Sequence, residues 1–209
     1  MNTFLILFCF LTLAVSMESK NNPANWNQFR GQNGDGDAQN ARIPVIFSET
    51  KNLTWKTPVL GKAWSSPVVQ DGKVWLTNAE ADGYKMWAIQ FDWKSGKQIN
   101  KVLVFENKEP QFCHPMNSYA TPTPLIEGNK VFVHFGSHGT AALDFKTGDK
   151  IWERRDFVCD HFRGAAASPI SHEGNLIIHF DGHDLQYIVC LDQKTGKTIW
   201  KKDRAYDFK

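Results

Sequence analysis

One stretch of sequence is used three times in this chain. Its clearest copy is AAASPISHEGNLIIHFDGHDLQYIVCLDQKTGKTIWKKDR, from Ala165 to Arg204, and the copy before it, ATPTPLIEGNKVFVHFGSHGTAALDFKTGDKIWERRD, runs from Ala120 to Asp156. A worn copy begins at Ser65 with SSPVVQDGKVWLTNAEADGYKMWAIQFDWKSGKQIN. Pro67, Pro124 and Pro169 align, as do Gly72, Gly128 and Gly174, then Asp92, Asp144 and Asp192, then Gly96, Gly148 and Gly196. A period of roughly 45–55 residues made of short apolar runs predicts an all-β chain of propeller blades rather than a helical solenoid.

The third copy predicts the four strands of one blade. Ser168 to Ile170 is a short extended run whose proline suits the start of an innermost strand. Leu176 to Phe180, Tyr187 to Leu191 and Thr198 to Lys201 follow, separated by Gly, Asn and Asp turns, as an antiparallel meander requires. In the last turn Asp144 or Asp192 is placed to accept backbone N–H groups, and Gly148 or Gly196 to supply the positive φ of a bulged hairpin. Four residues after that glycine stands Trp152 or Trp200, a ring suited to packing between neighbouring sheets. The worn copy has Gly96 but Asn100 in the tryptophan position, so its blade is expected to lack the anchor.

The pattern Leu-Asp-x-Lys-Thr-Gly-x-x-x-Trp, at Leu143–Trp152 and Leu191–Trp200, resembles the tryptophan-docking motif of the PQQ-like β-propeller repeat family. That family includes quinoprotein alcohol dehydrogenases and the non-enzymatic propeller lipoprotein of the β-barrel assembly machinery. Trp26–Gly31, Trp64–Pro67, His114–Tyr119 and Asp160–Gly164 are similar to stretches of secreted bacterial PQQ-like repeat proteins of the planctomycete type. The resemblance implies either a non-catalytic scaffold for a protein or small polar ligand, without a cofactor, or an oxidoreductase using PQQ with calcium. The chain has no adjacent cysteine pair and no placeable calcium carboxylates of the dehydrogenase kind, so the enzyme reading would put them beyond Lys209. A carbohydrate-binding module is a third alternative, from secretion and aromatic content.

Phe4 to Val15 is almost wholly apolar, too short to span a bilayer comfortably, and is followed by small residues. Residues 1–16 are therefore read as a cleavable signal, with an uncleaved anchor as the alternative, and the mature chain as secreted or periplasmic without a transmembrane segment. Residues 17–52 form a polar lead-in that Trp26, Phe29 and Arg30 are expected to staple to the outside of the sheets. Its GQNGDG stretch lacks the strand and helix of a phosphate loop and the ligand spacing of an EF-hand. The propeller occupies 53–209, with blades at about 64–104, 119–156 and 165–204. Leu53–Pro58, centred on Trp55, reads as a last strand of a further blade. Three blades and a strand make an incomplete ring, expected either as an amino-terminal fragment or as an open ring that self-associates. A net charge of +2 of mixed sign gives no nucleic-acid footprint.

Two sets of residues carry candidate chemistry. His134 and His138 in one blade repeat as His179 and His183 in the next, where each histidine either satisfies a local backbone group or, with Asp181, contributes to a metal site. No metal is expected there. His114, Asn117 and Tyr119, with Asp160, His161 and Arg163, each enter an innermost strand. Together with His138 and His183 they are the candidate ligand-binding residues, with Arg163 either recognising an anion or paired to Asp160. Cys113 and Cys159 occupy equivalent places in successive repeats and are the candidate disulfide, while Cys190 reads as a small buried hydrophobe. No nucleophile elbow or Cys-x-x-Cys is present, so no catalytic residue is assigned.

Overall fold

The computed structural model describes residues 25–38, 41 and 43–204; the segment read as a signal lies outside them. The first sheet is formed by β1 (Val68–Gln70), β2 (Lys73–Ala79), β3 (Lys85–Asp92) and β4 (Gln98–Glu106). The second comprises β5 (Leu125–Glu127), β6 (Lys130–His134), β7 (Thr140–Asp144) and β8 (Lys150–Arg154). The third comprises β9 (Ile170–His172), β10 (Asn175–Asp181), β11 (Gln186–Asp192) and β12 (Thr198–Asp203). Each is an antiparallel meander in chain order. β1 contacts β5 and β5 contacts β9, so the short first strands converge and the sheets fan outward as blades of an incomplete β-propeller. β9 begins just after Pro169, whose missing N–H cannot join the ladder.

Strand alternation assigns the middle blade to two cores. Val131, Val133, Ala141 and Leu143 face the first blade, against Trp75, Met86, Ala88 and Phe105. Phe132, Ala142 and Leu125 face the third, against Leu176, Ile178, Phe180, Tyr187 and Val189. β6 and β7 are therefore buried on both faces, and their run of apolar residues without polar alternation follows from that position.

The joints between blades are made at the turn after each third strand. Oδ1 of Asp92, Asp144 and Asp192 accepts amide hydrogens from residues two or three ahead. These bonds hold the carboxyls below the usual range, led by the Ser95 hydroxyl at Asp92, the Thr147 amide at Asp144 and the Thr195 hydroxyl at Asp192. Gly96, Gly148 and Gly196 follow with φ of 68°, 79° and 69°, and the register shifts at the same place in all three hairpins. Trp152 lays its ring on Gly196, where a Cβ would sit 2.7 Å from the indole. Its Nε1 donates to the Gln193 carbonyl at 3.0 Å, and Arg154 donates to the Gly196 carbonyl at 2.6 Å. Trp55 does the same on the first blade: Nε1 donates to the Trp93 carbonyl at 2.8 Å, the ring covers Gly96, and Thr57 donates to the Gly96 carbonyl at 2.7 Å.

The joint expected to be missing, between the first and second blades, is built from other residues. Asn100 Nδ2 donates to Gln90 Oε1 at 2.8 Å, and Gln90 Nε2 donates to the Phe145 carbonyl at 2.9 Å. Phe145 follows Asp144 as Gln193 follows Asp192, so an amide side chain replaces the indole N–H at the same turn. A Cβ on Gly148 would meet Val102 at 2.7 Å and the Trp75 ring at 3.6 Å, and these two supply the missing bulk.

Two residues of the lead-in also depart from expectation, Trp26 and Asn27 lying on the inner edge of the fan rather than outside the sheets. Trp26 and Val69 exchange two backbone bonds of 2.8 Å, and Ile126 N donates to the Asn27 carbonyl at 2.7 Å. Asn27 Nδ2 returns a bond to the Ile126 carbonyl at 3.1 Å. The innermost strands carry backbone groups on their axial edge that need partners, and Trp26 and Asn27 satisfy those of Val69 and Ile126.

Trp152→Ala removes a packed ring and an interblade hydrogen bond and is expected to cost roughly 3 kcal/mol in urea unfolding. Trp200, 43% exposed, makes no such joint among the described residues. Trp200→Ala is expected to cost less than about 1 kcal/mol, and equal costs for the two would contradict the assignment of the joint.

Candidate functional site

The loops that lead into β5 and β9 meet at one end of the fan. His114 N donates to the Arg163 carbonyl at 3.4 Å, and Asn117 Nδ2 to the Arg163 and Ala165 carbonyls at 2.9 and 3.4 Å. Gly164 is pressed on Cys113 and Asn117, where a Cβ would stand 2.8 Å from Sγ and 3.0 Å from Nδ2. A third loop joins them: Asp184 Oδ1 accepts from Asp160 N at 2.6 Å, and His183 N donates to the Asp160 carbonyl at 2.7 Å. The sequence-selected residues are thus brought into one neighbourhood.

Their side chains are mostly spent on holding it. Tyr119 donates to the Gln111 carbonyl at 2.7 Å and sets its ring edge-on to His138, 5.4 Å between centroids. His138 Nε2 accepts from Gln111 N at 3.2 Å. Asn117 Oδ1 accepts from Ser118 N and the Thr121 hydroxyl. The cavity lined by Tyr119, His138, His161 and Gln111 measures about 10 Å³, room for one water rather than a ligand. Asp160 and Arg163 form no ion pair; the Arg163 guanidinium lies over the Phe162 ring, 5.5 Å from its centroid.

Cys113 and Cys159 are free thiols, so the candidate bridge is not formed. Cys113 Sγ points toward the His114 and Arg163 carbonyls. Cys159 Sγ lies 3.4 Å from His161 Nε2, beside the Ser137 hydroxyl. The pair looks like a nucleophile and its base, but burial pushes the Cys159 thiol up to about 11 and lowers the His161 imidazole. Both are neutral at pH 7, the opposite of an activated thiolate.

The two histidine pairs are not the same site. His134 is fully buried, its Nδ1 2.8 Å from the Thr140 hydroxyl and its ring edge-on to Phe180. His179, one blade on, lies on the open face with Nδ1 2.8 Å from Asp181 Oδ2, and Asp181 is in turn paired with Arg204. His183 stacks on Phe162, 5.5 Å between centroids. Among the described residues no three His, Cys, Asp or Glu side chains converge as cation donors. With no vicinal cysteines in the chain, these residues do not fit a quinone held with calcium.

What the sequence reading passed over is the apolar rim of this end. Phe112, Met116 and Phe162 are 67%, 81% and 62% exposed. Each sits in a segment chosen for its polar neighbours, and exposure was the property that spacing alone did not reveal.

Burial lowers the His134 pKa to about 3. The unfolded chain takes up that proton below about 6.5, so stability falls as pH drops from there toward 3, by on the order of 3 kcal/mol at pH 4. Urea unfolding at pH 7 and pH 4 measures this, and His134→Gln is expected to flatten the dependence.

The sequence profile of a family described as outer membrane protein assembly factor BamB matches residues 38–205. Comparison with curated proteins found no match. Among solved structures, BamB from Moraxella catarrhalis is 19% identical with a TM-score of 0.49, over 71% of this chain and 39% of its own. Quinohemoprotein alcohol dehydrogenase from Comamonas testosteroni is 20% identical with a TM-score of 0.49, over 68% and 21%. A europium-containing methanol dehydrogenase is 14% identical with a TM-score of 0.50, over 68% and 25%. The chain therefore spans well under half the length of each of these structures, and at such identities the likeness concerns the fold alone.

Proposed function

We propose that this chain, which belongs to the family described as outer membrane protein assembly factor BamB, is a secreted or periplasmic, non-catalytic scaffold whose loop end docks another protein. The observation that carries this is the exposed rim of Phe112, Met116 and Phe162, flanked by Arg163 and His183 on a base of bonded loops. Exposed aromatic, Met and Arg side chains are the composition of interface anchors, and a prefixed backbone lowers the ordering cost of binding.

The chemistry of the enclosed groups supports a scaffold over a catalyst. The thiol and imidazoles beneath the rim are held in their neutral forms by burial. The apolar segment Phe4–Val15 supports export, and among the described residues no helix is long and apolar enough to cross a membrane.

A photo-crosslinking side chain placed at position 162 tests the docking surface in the producing cell. One discrete protein adduct is expected, lost on Met116→Asp, with none from the same probe at position 146 on the opposite turn. Equal labelling from both positions would contradict the proposal.

A further inference from the structure

The loop that carries two of the three rim anchors is hung on imidazoles. It runs from Gln111 to Met116, between β4 and β5, and holds the exposed Phe112 and Met116. At its start Gln111 N donates to His138 Nε2 at 3.2 Å, on the turn between β6 and β7. At its end Met116 N donates to His114 Nδ1 at 3.1 Å. A backbone N–H donates and never accepts, so each of these ring nitrogens presents a lone pair and carries no proton. His138 Nδ1 lies 3.1 Å from the Phe135 carbonyl, an acceptor, and so bears the one proton of a neutral ring.

A second proton on either ring would set two N–H groups face to face. His138 is faced by Tyr119, whose hydroxyl is spent on the Gln111 carbonyl, by His161 with the Cys159 thiol beside it, and by Arg155. His114 is faced by the Phe112 ring, by Cys113 with Lys62 acting on it, and by Arg163, whose carbonyl accepts from His114 N. These groups are a phenol, an imidazole, thiols and cations, with no carboxylate among them. Asp82 acts on Tyr119, and Asp160, Asp181 and Asp184 act on His161, one side chain removed from His138 in each case. Burial lowers the His138 pKa in the closed loop, with smaller contributions from His161 and Arg155. A ring freed into water regains its proton affinity, so acid favours the open loop. The ties from Tyr119 to the Gln111 carbonyl and from Asn117 to the Arg163 carbonyl involve no group that titrates near neutrality, and they keep both ends of the loop in place.

We infer that the rim is an acid-released docking surface: protonation of His138 and His114 unpins residues 111–116 and frees Phe112 and Met116 from their fixed positions. The inference rests on the docking role proposed above. Imidazole is the side chain whose ordinary titration falls between about pH 5 and 8. A partner that binds the pinned loop meets ordered anchors, and one that binds the unpinned loop must order them first.

The test is hydrogen exchange of the full chain, read by mass spectrometry at pH 7.5 and pH 5.0, with each rate divided by the intrinsic rate at that pH. Protection of the segment 108–118 is expected to fall about five-fold or more on acidification, the value of one such bond, and to fall further than that of β6 and β7. His114→Asn with His138→Gln puts amide oxygens, which accept and do not titrate, in place of the two ring nitrogens. The segment is then expected to keep its protection at pH 5.0. His114→Asn alone, expected to reduce the change, serves should His138→Gln unfold. Protection unchanged with pH, falling no further than in β6 and β7, or falling equally in the double variant overturns the inference. A photo-crosslinking side chain at position 112 reads the consequence for docking. Its adduct at pH 7.5 is expected to weaken about five-fold at pH 5.0, and to persist in the double variant. An adduct equally strong at both pH values overturns the inference. No adduct at pH 7.5 contradicts the docking role instead, and the exchange data then decide the loop switch on their own.

Discussion

The backbone carbonyl one residue after the turn aspartate is the point on which the blades depend. At Trp93, Phe145 and Gln193 this group receives a donor from the preceding blade or strand, twice an indole N–H and once a glutamine amide. The glycine of the same turn clears space for the ring or methyl above it. Where the turn is buried, at Phe145 and Gln193, the carbonyl would otherwise be left unpaired, at a cost of the order of 1–3 kcal/mol. The aspartate, the glycine and the ring are therefore one device, in which the first two shape the turn and the third covers it.

Position within the fan then decides what each repeated side chain experiences. The middle blade is covered on both faces, and its His134 loses water entirely. Among the described residues His179, at the equivalent place in the third blade, is exposed and lies 2.8 Å from Asp181. The same motif thus yields a buried neutral spacer in one sheet and an exposed imidazole beside a carboxylate in the next. Repetition in sequence did not mean repetition of chemistry, because burial is set by the neighbours and not by the strand.

Much of the architecture was legible. The proline, glycine and aspartate registers place the turns, and the apolar runs between them become the central strands, with β10 and β11 within two residues of expectation at either end. The first joint was not legible, since Asn100 gives no hint that Gln90, on the neighbouring strand, completes it. The inward path of the lead-in was hidden for a similar reason: Trp26 and Asn27 bind through backbone and amide groups, which any residue or any asparagine carries. At the loop end the polar residues lie in one neighbourhood, but their bonds turn inward and the exposed rim is apolar. A cysteine pair in equivalent repeats proved to be two separate thiols, one of them facing a histidine.

The proposed docking role needs the blades to move as one body, and the joints are what couple them. Native-state hydrogen exchange across the chain measures this most directly. The amides of β6 and β7 and those of β10 and β11 are expected to exchange through a common opening, with one free energy and one dependence on denaturant. Separate opening of the third blade, at markedly lower free energy than the second, would contradict the coupling and with it the view of the blades as a single rigid support.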